Sequence, residues 1–172
     1  MPKKALPVHI VGMFLCGFVL QSAYAYAGQA AWSLLISSVN NSPWEMTKPF
    51  LWVYIFWSFI ELSCHRPHLL HYVCARILSL HLFGWLSWIL LSCLQPLALN
   101  EPLLLGVLLV SMVIAECCLW HWYRSACRFE LFFVPLLLSF ILLFFSLLFC
   151  TLYPLPVPLL FTVSHTGGNP LL

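Results

Sequence analysis

Long apolar runs, separated by short polar or proline-bearing joints, set the pattern of this chain. The runs cover residues 8–28, 43–64, 69–94, 103–122 and 129–153. Each is close to the roughly 20 residues that an α-helix needs to cross a bilayer core. The joints are a mildly apolar connector at 29–41, a basic turn (Cys64, His65, Arg66, Pro67, His68), a loop at 95–102 and a second basic turn at 123–128. The connector is too short to span and reads as interfacial or re-entrant. The pattern predicts an all-α polytopic transmembrane helical bundle of about five spans with short loops, forming one integral membrane domain over 1–172. It ends in an irregular Pro- and Gly-rich tail at 154–172, where Pro154, Pro156 and Pro158 alternate with apolar residues and forbid helix. Pro49, one turn inside the second run, and Pro135, near the start of the fifth, are expected to bend their helices.

The densest polar stretch is VNNSPWEMTK at 39–48, and it reads as a helix start. Ser42 can accept from the backbone N–H three residues on. Pro43 suits the first helical position, and Glu45 can reach back to complete a capping box. Glu45 and Lys48 then lie one turn apart and can pair, and Trp44 falls where an aromatic anchor at a membrane–water boundary is expected.

Composition supports a membrane reading. Of 172 residues, 63% are hydrophobic and 7% charged, against roughly 25% charged in soluble domains, and the mean hydropathy is +0.99. A net charge of +2 is too small to argue for nucleic acid as a partner. The eight cysteines fall mostly within apolar runs, where they read as small buried hydrophobes rather than a disulfide framework. The first run, preceded by Lys3 and Lys4 and followed by Ala23, Tyr24, Ala25, Tyr26 and Ala27, resembles a signal peptide. Its length and terminal tyrosines favour a retained helix.

Alternating five spans places Lys3, Lys4, Arg66, Arg124 and Arg128 on one side, with Arg76 close to it and Lys48 alone at the other boundary. Basic residues near span ends mark the cytoplasmic side. The expectation is a multi-pass protein of the cell membrane with a cytoplasmic N-terminus and an extracytoplasmic C-terminus.

Three constellations are candidates for chemistry. At the outer face, Asn40, Trp44, Glu45 and Lys48 form either a capped, anchored helix start or a polar site roofed by the tail. Within the spans, Glu61, Arg76 and Glu116, with His81 deeper, bring charge to a similar depth on three helices, roughly 5–10 Å from their cytoplasmic ends. Unpaired charge is costly there, so these residues read as a paired cluster facing the bundle interior. It is either a substrate or proton site, or an interhelical ion pair that fixes packing. The third set is weak: His68, His71 and Cys74 are three apart, and Cys117 and His121 are four apart. None makes a closed metal site, so no metal or other cofactor is expected. The chain has no Asp, no P-loop, no nucleophile elbow and no H-E-x-x-H. The sequon at Asn40 is followed by Pro43 and hugs the membrane, which argues against glycosylation.

The 39–48 stretch is similar to the V-N-x-S-x-W-E-x-x-K signature of a family of small polytopic bacterial membrane proteins, domain-of-unknown-function family 6512. Val39, Asn40, Ser42, Trp44, Glu45 and Lys48 match; Asn41 and Met46 stand where the family tends to have Glu and His. In the first span Gly17, Gln21, Tyr24, Ala25 and Gly28 resemble a further family pattern, with Gln21 and Ala25 replacing His and Glu. Tyr153, Pro154, Pro158, Phe161, Gly167 and Gly168 resemble its closing segment without the acidic residue. The resemblance implies a bacterial membrane protein and no particular activity. The departures imply a divergent or structural member, should relatives use those side chains for chemistry.

The leading functional expectation is a small-molecule or lipid binding or transport-type module with the Glu61/Arg76/Glu116 layer as its polar interior. The alternatives are a membrane-embedded enzyme using Glu45 and Lys48, and an accessory subunit docked on a larger membrane complex. The expected partners are the lipid bilayer and either a membrane protein or a second copy of the chain.

Overall fold

A computed structural model describes residues 6–27, 31–38, 42–63, 68–94, 97, 100–125 and 129–152, and these contain helices but no strand. Five long helices, α1 (Leu6–Tyr26), α3 (Pro43–Ser63), α4 (Leu69–Leu94), α5 (Glu101–Arg124) and α6 (Phe133–Leu152), match the five apolar runs. The 29–41 connector supplies a short helix, α2 (Ala31–Ile36), and a single 3₁₀ turn (Phe129–Phe132) precedes α6. Four of the long helices, α1, α4, α5 and α6, are long and apolar enough to cross a membrane. The fifth long helix, α3, has 21 residues but carries Glu45, Lys48 and Glu61.

The helices are arranged around α3 and α4. α1 packs on α3, α3 on α4, α4 on α5, and α5 returns to α1, closing a four-helix ring. α6 lies outside it against α4 and α2. α3 is the most enclosed element: Pro43 through Ile55 are buried without a break. Glu45, Lys48 and Glu61 on it are therefore surrounded by protein. α6 presents Val134, Leu138, Leu142, Phe145 and Phe149 outward, a lipid-facing stripe at helical spacing.

Local chemistry fixes the helix starts. The Glu45 N–H donates to Ser42 Oγ at 3.4 Å, as the capping stretch predicts. At the start of α4, His68 takes a left-handed φ of 59°, and its carbonyl accepts from the Tyr72 N–H at 3.1 Å. α5 begins Asn100, Glu101, Pro102, with Pro102 in the first turn where a missing N–H costs nothing.

Three expectations are corrected. Trp44 is not an exposed aromatic anchor: it is buried and stacks on Trp88 with ring centroids 5.2 Å apart, because this face of α3 packs on α4. Pro135 bends nothing; it occupies the first turn of α6, after the 3₁₀ turn, where proline is accommodated. The cysteines are not uniformly buried: Cys74 and Cys150 are, whereas Cys16, Cys93 and Cys117 are exposed on outer faces and Cys118 is intermediate. A lipid-facing surface accepts a thiol as readily as a core does. Asn40, Lys3, Lys4, Arg66, Arg128 and the tail lie outside the described residues.

Candidate functional site

Each helix of the ring contributes one ionisable side chain to a single buried layer. Glu61 on α3, Arg76 on α4 and Glu116 on α5 meet there, and all three are no more than 3% exposed. The fourth member is His9 on α1, whose Nδ1 lies 3.1 Å from Glu61 Oε1. Arg76 is the hub. Its Nη1 donates to Glu116 Oε1, its Nη2 lies 3.5 Å from Glu61 Oε2, and its Nε donates to Ser58 Oγ at 2.8 Å. The guanidinium carbon also sits 4.4 Å from the centre of the Tyr54 ring. Such planar, multiply bonded pairing is the geometry for which arginine, rather than lysine, is suited.

Neutral donors complete the layer. The Tyr72 hydroxyl donates to Glu61 Oε2, and the Tyr54 hydroxyl pairs with Ser79. Met13, one turn from His9 on α1, places its sulfur 3.9 Å from Arg76 Nη2. Sequence order explains how the helices deliver these groups. Tyr54, Ser58 and Glu61 are spaced i, i+4, i+7, as are Tyr72, Arg76 and Ser79, so each set forms one stripe facing the ring interior. His9 and Met13 do the same on α1 at i, i+4. These stripes are the signal that finds Tyr54, Ser58, Tyr72, Ser79 and His9, none of which stands out when only acidic and basic residues are tracked. His9 is the one imidazole in the apolar α1 run, and an ionisable residue inside a span is a functional candidate by default.

His81 does not join the layer. It is partly buried, and its Nδ1 bonds the Ile77 carbonyl one turn back on its own helix at 2.8 Å. At the other end, Glu45 and Lys48 pair, with Lys48 Nζ donating to Glu45 Oε2 at 2.8 Å and the lysine fully buried. Thr47 donates to the Pro43 carbonyl, and Trp52 Nε1 donates to the Leu35 carbonyl, tying α3 to α2.

The weak metal candidates are dispersed. His68 is exposed at the turn before α4, and His71 Nε2 lies 3.1 Å from the Trp122 carbonyl. Cys74 is buried, while Cys117 and His121 point outward from α5. Among the described residues no three His, Cys or Glu side chains converge as a metal site.

A groove of about 180 Å³ leads to the layer from one side of the bundle, between α3, α4 and α6. Its walls are apolar, among them Ile55, Val73, Leu80, Leu137 and Phe140, and its polar groups are Ser58 and Arg76. Comparison of the chain with known protein families, curated proteins and solved structures finds no match.

Proposed function

We propose that this chain is a binding or transport-type module of a membrane, that its ligand is a small apolar molecule or one apolar chain of a lipid, and that the ligand enters the α3–α4–α6 groove. The observation that carries this reading is that an apolar groove ends on Arg76 and Ser58, members of the buried charge layer. Its volume of about 180 Å³ is below the roughly 300–1,000 Å³ of drug-sized sites, so it suits a segment of an acyl chain rather than a whole lipid. The guanidinium is already engaged by two carboxylates, so the groove floor favours a neutral polar end over an anionic one. Lys48 is fully buried and held by Glu45, which favours the inner layer over the outer pair as the working site.

In this reading α3 crosses the membrane with the other four long helices, since 21 residues extend about 30 Å. The N-terminus is cytoplasmic, with the charge layer near the cytoplasmic side of the cell membrane. Kinship with the bacterial family rests chiefly on the 39–48 signature, with the first-span and tail resemblances beside it. The outward stripe on α6 provides an apolar face for lipid, a partner protein or a second copy.

The test is photolabelling in vesicles of phosphatidylcholine containing a trace of a photoreactive long-chain alcohol. Labelling should concentrate on Val73, Leu80, Leu137 and Phe140 and be competed by unlabelled alcohol. Val73→Trp, which fills the groove, should reduce it roughly tenfold, equivalent to about 1.4 kcal/mol. Labelling spread evenly along the outward face of α6, unaffected by Val73→Trp, would refute the groove as a binding site.

A further inference from the structure

We propose that Cys117 and His121 are half of a zinc site that a second copy of this chain completes, with one ion held between two α5 helices. The two residues are four apart, so their side chains stand one above the other on one helix face, with Cβ atoms roughly 5–6 Å apart. Both are exposed on the outer side of α5, while the helix packs inward on α4 and α1. Val110, Val113 and Ile114 are exposed on the same face, so an apolar strip leads turn by turn to the pair. A thiol and an imidazole so placed are two of the ligand types that zinc takes, at bonds of about 2.3 Å to sulfur and about 2.0 Å to nitrogen.

The donor set favours a second copy as the cover of this face. A closed zinc site takes four ligands, and among the described residues no three His, Cys or Glu side chains of one chain converge. Cys118 lies about 100° further round the helix and is only partly exposed, so it does not supply a third. One thiolate would also leave a bound Zn²⁺ with a net positive charge, which apolar surroundings disfavour. Two thiolates and two neutral imidazoles leave no net charge. The chain itself carries the matching pair. α5 is long and apolar enough to cross a membrane, and a two-fold axis along the membrane normal brings each residue of such a helix to its own counterpart at the same depth. Cys117 lies roughly 10 Å before Arg124 at the end of α5, so an ion reaches the pair from the aqueous side without crossing the bilayer core. Binding forms two Zn–S and two Zn–N bonds and releases two thiol protons to water, and nothing is oxidised or reduced.

The experiment uses the full chain in mild detergent, stripped of metal and kept in a phosphine reductant, with zinc chloride as the probe. The reductant excludes a Cys117–Cys117 disulfide as the cause of any association. The mass of the protein component is followed by light scattering, and bound zinc by equilibrium dialysis and metal analysis. Zinc should double the protein mass at one ion per two chains, and a chelator should reverse it. Cys117→Ser and His121→Ala should each abolish both the doubling and the uptake, whereas Cys118→Ser should change neither. Both substituted side chains point outward, so the helix content of the zinc-free variants should match that of the unaltered chain. The proposal is overturned by absence of zinc uptake, by one ion per chain with no change in mass, by a dimer that persists after chelation, or by uptake that survives either ligand substitution. None of these readouts depends on the α3–α4–α6 groove, so this inference and the binding reading stand or fall separately.

Discussion

Single residues in this protein are held in ways that ordinary surface side chains are not. Lys48 is a fully buried cation one helical turn from Glu45. Removing one partner of a buried ion pair is strongly destabilising, so Glu45→Gln should cost the protein about 3–5 kcal/mol. Removing both charges in Glu45→Gln with Lys48→Met should restore most of that loss, as measured by denaturant unfolding in detergent micelles. If the double variant is no better than the single, the pair is not what makes Glu45 important. Tyr72 offers a second case, since its hydroxyl donates to Glu61. Tyr72→Phe removes a hydrogen bond to a charged group, a loss of about 1.5–3 kcal/mol by the same unfolding measurement. The ring itself should stay packed against Tyr123.

At the scale of helices, close approach decides which faces meet. Gly17 of α1 lies so near Phe50 of α3 that a Cβ there would fall 2.3 Å from the ring's Cδ1 and 2.9 Å from its Cγ. Phe50 is fully buried and cannot swing aside freely. Gly17→Ala should therefore cost about 1–3 kcal/mol by overpacking, whereas Gly106→Ala on α5, where nothing lies within 4 Å, should be neutral or mildly stabilising. Small residues that let helices approach are a general device of membrane bundles, where the hydrophobic effect does not pull helices together. α6 shows the reverse condition. It packs with its inner side on α4 and leaves a continuous apolar stripe outside.

For the whole molecule, alternation of the long helices puts the loops at Ser125 and Asn100 at opposite ends of α5. In a background with the native cysteines replaced, Ser125→Cys should react with a membrane-impermeant thiol reagent only from the cytoplasmic side and Asn100→Cys only from the other. The opposite pattern would reverse the proposed orientation. The five long helices were legible in the chain itself, because each apolar run is long and ends at proline, glycine or charge. So was the approach of Glu61, Arg76 and Glu116, since three charges at one depth in lipid must find each other. The pairing of Lys48 with Glu45 was legible too, but not the burial of Trp44 and Lys48 or the place of His9. The amphipathic pattern that separates core from surface in a soluble protein is nearly absent here: lipid and protein interior are both apolar, so either face of a helix can turn inward. Only the closing of α1, α3, α4 and α5 into a ring buried the start of α3 and brought His9 onto Glu61. The amino-acid order thus determined helices, length and a membrane-like environment. The tertiary structure decided which polar groups share an interior, because that depends on side-chain shape and charge pairing between helices rather than on hydrophobicity.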